Sequence, residues 1–255
     1  MAEANKILEI RNLTHQFDGK TALNNVSFDV NNGEFLAILG PSGCGKTTIL
    51  RILIGLLEPT SGTIMMEGKD ITYADPSARN MGIVFQNYAL FENMTVLQNV
   101  QYALKIKKET KADSKEKALE MLRRMGLLEH MNKRPNELSG GQQQRVAIAR
   151  TLVLHPRVIL FDEPMSALDV ETRLALRKEI KQLQAEFGTT MIYITHDQEE
   201  AFAMADRIMV MKESHLVQID TPIDIIKNPA DEYVQRFVLE NLRIKIDSLS
   251  RYINV

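Results

Sequence analysis

Nine residues, Gly40-Pro41-Ser42-Gly43-Cys44-Gly45-Lys46-Thr47-Thr48, constrain this chain more than any other stretch. Before them runs Phe35-Leu36-Ala37-Ile38-Leu39, which reads as a buried strand, and after them Ile49-Leu50-Arg51-Ile52-Leu53 reads as a helix. Glycines at 40, 43 and 45 let the backbone bend so that successive N–H groups point inward at an anion. A helix starting near Lys46 adds its positive dipole end. Strand, G-x-x-x-x-G-K-[ST] and helix together read as a phosphate-binding loop. In such a loop Lys46 reaches the β- and γ-phosphates, and the Thr47 hydroxyl ligates Mg²⁺.

The 255 residues suffice for one large α/β domain with an inserted subdomain. A hydrophobic share of 44% and a charged share of 25% are ordinary for a globular chain able to bury a core. The formal net charge of -2 argues against nucleic acid as a partner held by bulk electrostatics, while leaving a local basic patch open. Cys44 is the single cysteine, so no internal disulfide forms and a reducing compartment fits. Its place inside the loop favours packing over redox chemistry. The start, Met-Ala-Glu-Ala-Asn-Lys, lacks the apolar core of a signal peptide. Without an apolar run of about eighteen residues, nothing is expected to span a membrane. The expectation is a soluble, cytoplasmic protein.

Short apolar segments open the chain: Ile7–Ile10, Val26–Val30 and Phe35–Leu39, separated by the turn signals Asp18-Gly19 and Asn31-Asn32-Gly33. They predict an antiparallel β-layer ahead of the first core strand. Phe17, just before the first turn, is either simple packing or a ring on which a flat base stacks, worth about 1–3 kcal/mol. Thr63–Met66 with Glu67-Gly68 predicts a hairpin, and Met81–Phe85 a strand ending in Gln86. From Asn87 to His155 the pattern is helical. Asp113-Ser114-Lys115-Glu116 resembles a capping box, with Gly126 as a stop. The basic run Lys105 to Lys111 reads as a solvated helix face and linker. Val158–Phe161 then predicts a parallel strand buried on both faces, ending in Asp162-Glu163. A helix through Leu174, Leu176, Ile180 and Leu183 follows, and a strand Met191–Ile194 ends in Thr195-His196.

Polar residues thus cluster where core strands end, as ligand sites do in open α/β sheets. Asp162 would hold Mg²⁺ opposite Thr47. Glu163 would accept a proton from attacking water, a role worth about 10²–10⁴ in rate. His196 would contact a γ-phosphate, and Gln86 the Mg²⁺ or the water. Leu138-Ser139-Gly140-Gly141-Gln142-Gln143-Gln144-Arg145 carries an N-cap serine and two glycines before a helix. Either it is an ordinary capped helix, or it is a second anion site served by a neighbouring copy's nucleotide.

These residues resemble the ATP-binding cassette (ABC) ATPase family over nearly the whole chain. Gly40–Thr48 is similar to its phosphate loop, Leu138–Gln142 to its signature motif and Val158–Glu163 to its second nucleotide motif. Ser166-Ala167-Leu168-Asp169 matches its D-loop, Gln86 its Q-loop glutamine and His196 its switch histidine; Phe17 stands at the adenine-stacking position, where the family usually has Tyr. The resemblance implies an α/β P-loop NTPase (RecA-like) core, with an antiparallel β-subdomain and an inserted all-helical subdomain. The expected division is 1–86 with 156–225 as core, 87–155 as helical subdomain, and 226–255 as a short tail without a regulatory domain. Also implied are ATP and Mg²⁺ as ligands, and a head-to-tail dimer with a second copy or a paralogous ATPase. In that dimer Ser139, Gly140, Gly141 and Gln142 of one copy meet the nucleotide held by Lys46 of the other, with Asp169 nearby.

Val84–Phe91, Gln142–Arg150 and Thr195–Ala201 further resemble bacterial importer ATPases, which serve sugars, polyamines, ferric iron, sulfate, phosphonates or glycine betaine. That branch implies an integral membrane permease, with this chain peripheral on the inner face of the cell membrane, and an external solute-binding protein. The permease would dock near Tyr88, Leu90 and Phe91, residues that equally fit the core of the helical subdomain. The transported solute is not legible here. An exporter motor and a soluble ABC protein are the competing functions; the motifs favour the importer, and the chain length disfavours the soluble class.

Overall fold

A computed structural model describes residues 5–106, 112–166 and 168–250. The basic run Lys105 to Lys111 therefore falls outside the described residues from position 107 on, as do Ala167 and positions 251–255. In chain order the elements are β1 (Lys6–Phe17), β2 (Lys20–Asn31), β3 (Phe35–Leu39), α1 (Lys46–Ile54), β4 (Ser61–Met66), β5 (Lys69–Asp70) and β6 (Met81–Val84). Next come α2 (Val96–Ile106), α3 (Ser114–Arg124), α4 (Gly140–Leu152), β7 (Val158–Asp162) and α5 (Val170–Phe187). The chain continues with β8 (Thr190–Thr195), α6 (Gln198–Met204), β9 (Arg207–Lys212), β10 (His215–Asp220) and α7 (Pro222–Lys227). Last are α8 (Glu232–Val234), a π-helical turn Gln235–Glu240 and α9 (Asn241–Ser250). Among the described residues no helix is long and apolar enough to cross a membrane. The fold is the expected α/β P-loop NTPase fold.

The chain divides into two units, 1–79 with 184–255, and 80–183. The sequence boundaries, 87 and 155, fall inside the second unit. The reason is strand pairing: β6 and β7 run parallel to each other, Val84 opposite Phe161, so both belong with the helices between them.

In the first unit β1 and β2 form an antiparallel hairpin, and β4 pairs with the other edge of β1. The turn is made by Asp18 and Gly19 at φ of 45° and 79°, the left-handed pair that a two-residue hairpin needs. A second sheet runs β10-β9-β3-β8, with β3 parallel to β8 and β9, and β10 antiparallel to β9. All residues of β3 and β8 are buried, as their uninterrupted apolar runs require of strands covered on both faces. The C-terminal stretch carries α8, the π-helical turn and α9. Val234 and Val238 are fully buried, packing with Ala37, Leu39, Ala201, Ile208, Val210 and Ile225, because their four-residue spacing puts both on one helical face.

In the second unit α2, α3 and α4 pack together, and residues 87–155 contain no strand among those described. Asp113 precedes α3, but its side chain makes no cap, which corrects the expected capping box. The Ser114 hydroxyl accepts from Gln101 Nε2 at 3.0 Å, a bond from the start of α3 to α2.

Arg79 holds the far end of α1 and gave no sequence signal. It is 2% exposed, and its Nη1 donates to the Ile52 and Leu53 carbonyls at 2.7 and 2.9 Å. Its Nε donates to Ala74 O and its Nη2 to Thr72 O. A cation at a helix C-terminus offsets the dipole and satisfies carbonyls that the helix leaves open. Arg79→Met leaves these buried acceptors without donors and should cost about 3 kcal/mol. Urea unfolding should show a lower midpoint at unchanged slope.

Candidate functional site

Each unit carries part of the predicted site. In the first, the loop 40–45 joins β3 to α1, and two of its glycines are fixed by close approach. A Cβ on Gly40 would lie 2.7 Å from Cys44 Sγ and 2.8 Å from Met211 O. Gly45 has φ of 105°, and its Cβ would lie 2.5 Å from Ala22 O and 2.7 Å from Leu23 Cδ2. Cys44 is 2% exposed, which agrees with the packing role. Met211 in turn accepts from the Tyr233 hydroxyl at 3.2 Å, and burial pushes that phenol up to about 12, so it stays a donor. The β1–β2 hairpin is tied to the β9–β10 turn by Asn24 N to Ser214 O at 2.9 Å and Ser214 Oγ to Thr21 O at 3.0 Å.

Lys46 is 5% exposed, and its Nζ donates back to Gly40 O at 2.7 Å and Pro41 O at 3.0 Å. Thr47 and Thr48 follow in the first turn of α1. His196 leaves β8 just after Thr195, which is the parallel partner of Leu39. The histidine and the phosphate loop therefore depart from neighbouring strands at the same end. The turn at His196 is pinned by Thr195 Oγ1 to Glu200 Oε2 at 2.8 Å, by Asp197 N to Thr195 Oγ1 at 3.0 Å, and by Asp197 capping Glu199 N. Phe17, at the end of the hairpin, is 45% exposed.

In the second unit Gln86 and Glu163 lie beyond the paired strand ends Val84 and Phe161. Gln86 Nε2 donates to Ser166 Oγ at 3.1 Å, and Ser166 Oγ donates to Glu163 O at 3.0 Å. Glu163 takes φ of 44°, a left-handed conformation rare for a glutamate and frequent at functional sites. Asp162 immediately precedes it as the last residue of β7. The linking role of Ser166 was not foreseen; a hydroxyl three residues after a strand-end acid is a turn signal that could have shown it.

Ser139 caps α4 in a reciprocal box: Gln142 N donates to Ser139 Oγ at 3.4 Å, and Ser139 N to Gln142 Oε1 at 3.0 Å. Gly140 and Gly141 begin the helix against Leu168 and Thr172. Asp169 accepts from Thr172 N at 2.9 Å and Thr172 Oγ1 at 2.7 Å, which holds its carboxyl below the usual carboxylate range. Tyr88 is buried, which places it in the subdomain core, while Leu90 and Phe91 are partly exposed. Arg150, unforeseen, donates to Ala89 O at 2.7 Å and Tyr88 O at 3.1 Å. It also stands 5.5 Å from the centre of the Phe91 ring.

In the first unit the loop offers a helix N-terminus and a buried ammonium, groups that suit the phosphates of a nucleoside triphosphate, and Thr47 offers a hydroxyl oxygen. In the second unit Gln86 and Asp162 offer oxygens of the kind that a hard cation takes. Among the described residues no three His, Cys, Asp or Glu side chains could hold a metal by themselves. A magnesium ion here would depend on phosphate oxygens and water as well, its usual habit.

A model of the family described as ABC transporter matches residues 23–166. The chain is 48% identical over 240 residues to the spermidine/putrescine import ATP-binding protein PotA of Nitratidesulfovibrio vulgaris, covering 94% of this chain. It spans 65% of that relative's length, and 63% and 64% of two others of the same name. The structure of cbiO1 from Clostridium perfringens, part of the ABC transporter complex cbiONQ, matches with a TM-score of 0.82 at 29% identity, covering 98% of this chain and 100% of that one. A dimeric ATP-binding cassette in a post-hydrolysis state, bound to ADP and Pi, matches with a TM-score of 0.75 at 34% identity, covering 84% and 98%.

Gly45→Ala should cost about 2 kcal/mol through its left-handed backbone, before the clash with Ala22 O is counted. Gly43→Ala, also left-handed but with open space at its Cβ, should be the milder change. Thermal unfolding and binding of a fluorescent ATP analogue would rank the two.

Proposed function

Because this chain belongs to the ABC transporter family, we propose that it is the ATP-hydrolysing subunit of a polyamine importer, driving a separate membrane-embedded permease. The observation that carries this is the loop 40–48, in which Gly40 and Gly45 leave no room for a Cβ and the carbonyls of Gly40 and Pro41 hold a buried ammonium at a helix N-terminus. Polyamine as the solute is supported by the printed name of a relative at 48% identity.

In this reading Lys46 exchanges the carbonyls of Gly40 and Pro41 for β- and γ-phosphate oxygens, and Phe17 stacks on the adenine. Thr47, Asp162 and Gln86 hold Mg²⁺, which supplies charge neutralisation on the phosphates. Glu163 accepts the proton of the attacking water, and His196 contacts the γ-phosphate. Ser139, Gly140, Gly141 and Gln142 face the nucleotide of a second copy, or of a paralogous ATPase, with Asp169 at the same interface. The permease docks on Leu90 and Phe91, above the buried Tyr88, at the inner face of the cell membrane. An external solute-binding protein delivers the polyamine, which never touches this subunit.

Glu163→Gln should lower hydrolysis by at least about 10²-fold while leaving ATP binding intact, since only the proton acceptor is lost. Lys46→Ala should instead weaken binding of a fluorescent ATP analogue. The transport role is tested by purifying the tagged protein from native membranes in mild detergent and reconstituting the complex in liposomes. A multi-spanning permease and ATP-dependent spermidine uptake are expected. Ribosomal partners without a permease would overturn the transporter role, and uptake of another solute would overturn the polyamine.

A further inference from the structure

Beside the ring assigned to base stacking lies a histidine without a role. His15 is 7% exposed, and its ring centre stands 4.4 Å from that of Phe17, the planes crossed at 76°. Neither Nδ1 nor Nε2 of His15 has a hydrogen-bond partner among the described residues. A buried imidazole without partners carries a cost that an apolar side chain would avoid, so its presence calls for a physical reason. Aromatic edges are positive and faces negative, so the edge-to-face contact with Phe17 recovers part of that cost.

The backbone aims both rings. The β1–β2 ladder slips between Leu13 and His15 and again between His15 and Gln16, and such bulges redirect side chains. Gln16 N donates to Thr60 Oγ1 at 3.1 Å, fixing the segment between the two rings. Across the ladder His15 faces Leu23, the residue packed on Gly45 of the phosphate loop. His15 therefore stands between the exposed ring and the wall of the loop.

We propose that His15 is a positioning residue for the nucleotide base: it holds the tilt of Phe17, so that the outer face of that ring is ready for a purine. Its effect passes through Phe17, so this role rests on Phe17 being the base-stacking aromatic. Fixing the ring beforehand spares the loss of rotamer freedom on binding.

The test is a double-mutant cycle read by titration calorimetry, with MgATP and with magnesium tripolyphosphate, the same anion without a base. His15→Ala should weaken ATP about 2- to 10-fold, the range of one aromatic pair, and leave tripolyphosphate unchanged. It should have no further effect in a Phe17→Ala background, and His15→Phe, which keeps a ring edge, should restore affinity. An equal loss for both ligands, an undiminished loss without Phe17, or no rescue by His15→Phe would overturn the positioning role. If Phe17→Ala itself binds both ligands as the parent does, base stacking on Phe17 fails, and the role of His15 with it.

Discussion

The phosphate loop is held where backbones approach more closely than any side chain allows, at Gly40 against the Met211 carbonyl and at Gly45 against the Ala22 carbonyl. Both contacts are themselves anchored. Met211 O receives the Tyr233 hydroxyl from the C-terminal helices, and the strand bearing Ala22 is tied through Asn24 to Ser214. Each such bond contributes only about 1 kcal/mol. Together they fix the direction of the loop before any ligand arrives, and a preset dipole spends nothing on reorganisation when charge is bound. Elements distant in sequence, the hairpin before the loop and the helices after β10, thus converge on six residues.

Two cations are buried in the same unit, and they sit at opposite ends of α1. Arg79 lies at its C-terminus, where the helix dipole favours it and four carbonyls accept its donors. Lys46 lies at its N-terminus, where the dipole opposes a positive charge, and it is held by two carbonyls of its own loop. On electrostatic grounds, and independently of any motif, the start of α1 favours an anion where its end favours a cation.

Much of this was legible because it is local. The phosphate loop follows from glycine, lysine and threonine at fixed spacing, the hairpin from Asp18-Gly19, and the buried strands from apolar runs. Three features escaped for one reason: their partners lie far away in sequence. Arg79 caps a helix that ended more than twenty residues earlier. Ser114 stands in the stretch that suggested a local cap, yet its hydroxyl accepts a bond from Gln101 in α2. Ser166 joins Gln86 to Glu163 across 80 positions. The burial of Val234 and Val238 gave no signal either, since four residues are too few to show which helical face a core will claim.

The start of α4 changes the weight of one sequence reading. Two glycines after Ser139 suggested N–H groups laid open to a phosphate, but Gly141 has a nearer cause: its Cβ would lie 2.8 Å from Thr172 Cγ2. Thr172 cannot easily yield, because Asp169 holds both its N–H and its hydroxyl. The glycine is therefore required by packing inside the chain, whether or not a second nucleotide arrives. Ser139 is different. Its hydroxyl spends its cap on a bond of 3.4 Å, at the long end of the range, with the dipole of a 13-residue helix behind it. Trading that bond for a charge-assisted one to a phosphate oxygen is favourable. Ser139 and the helix end, rather than the glycines, are the features of this face that suit an anion.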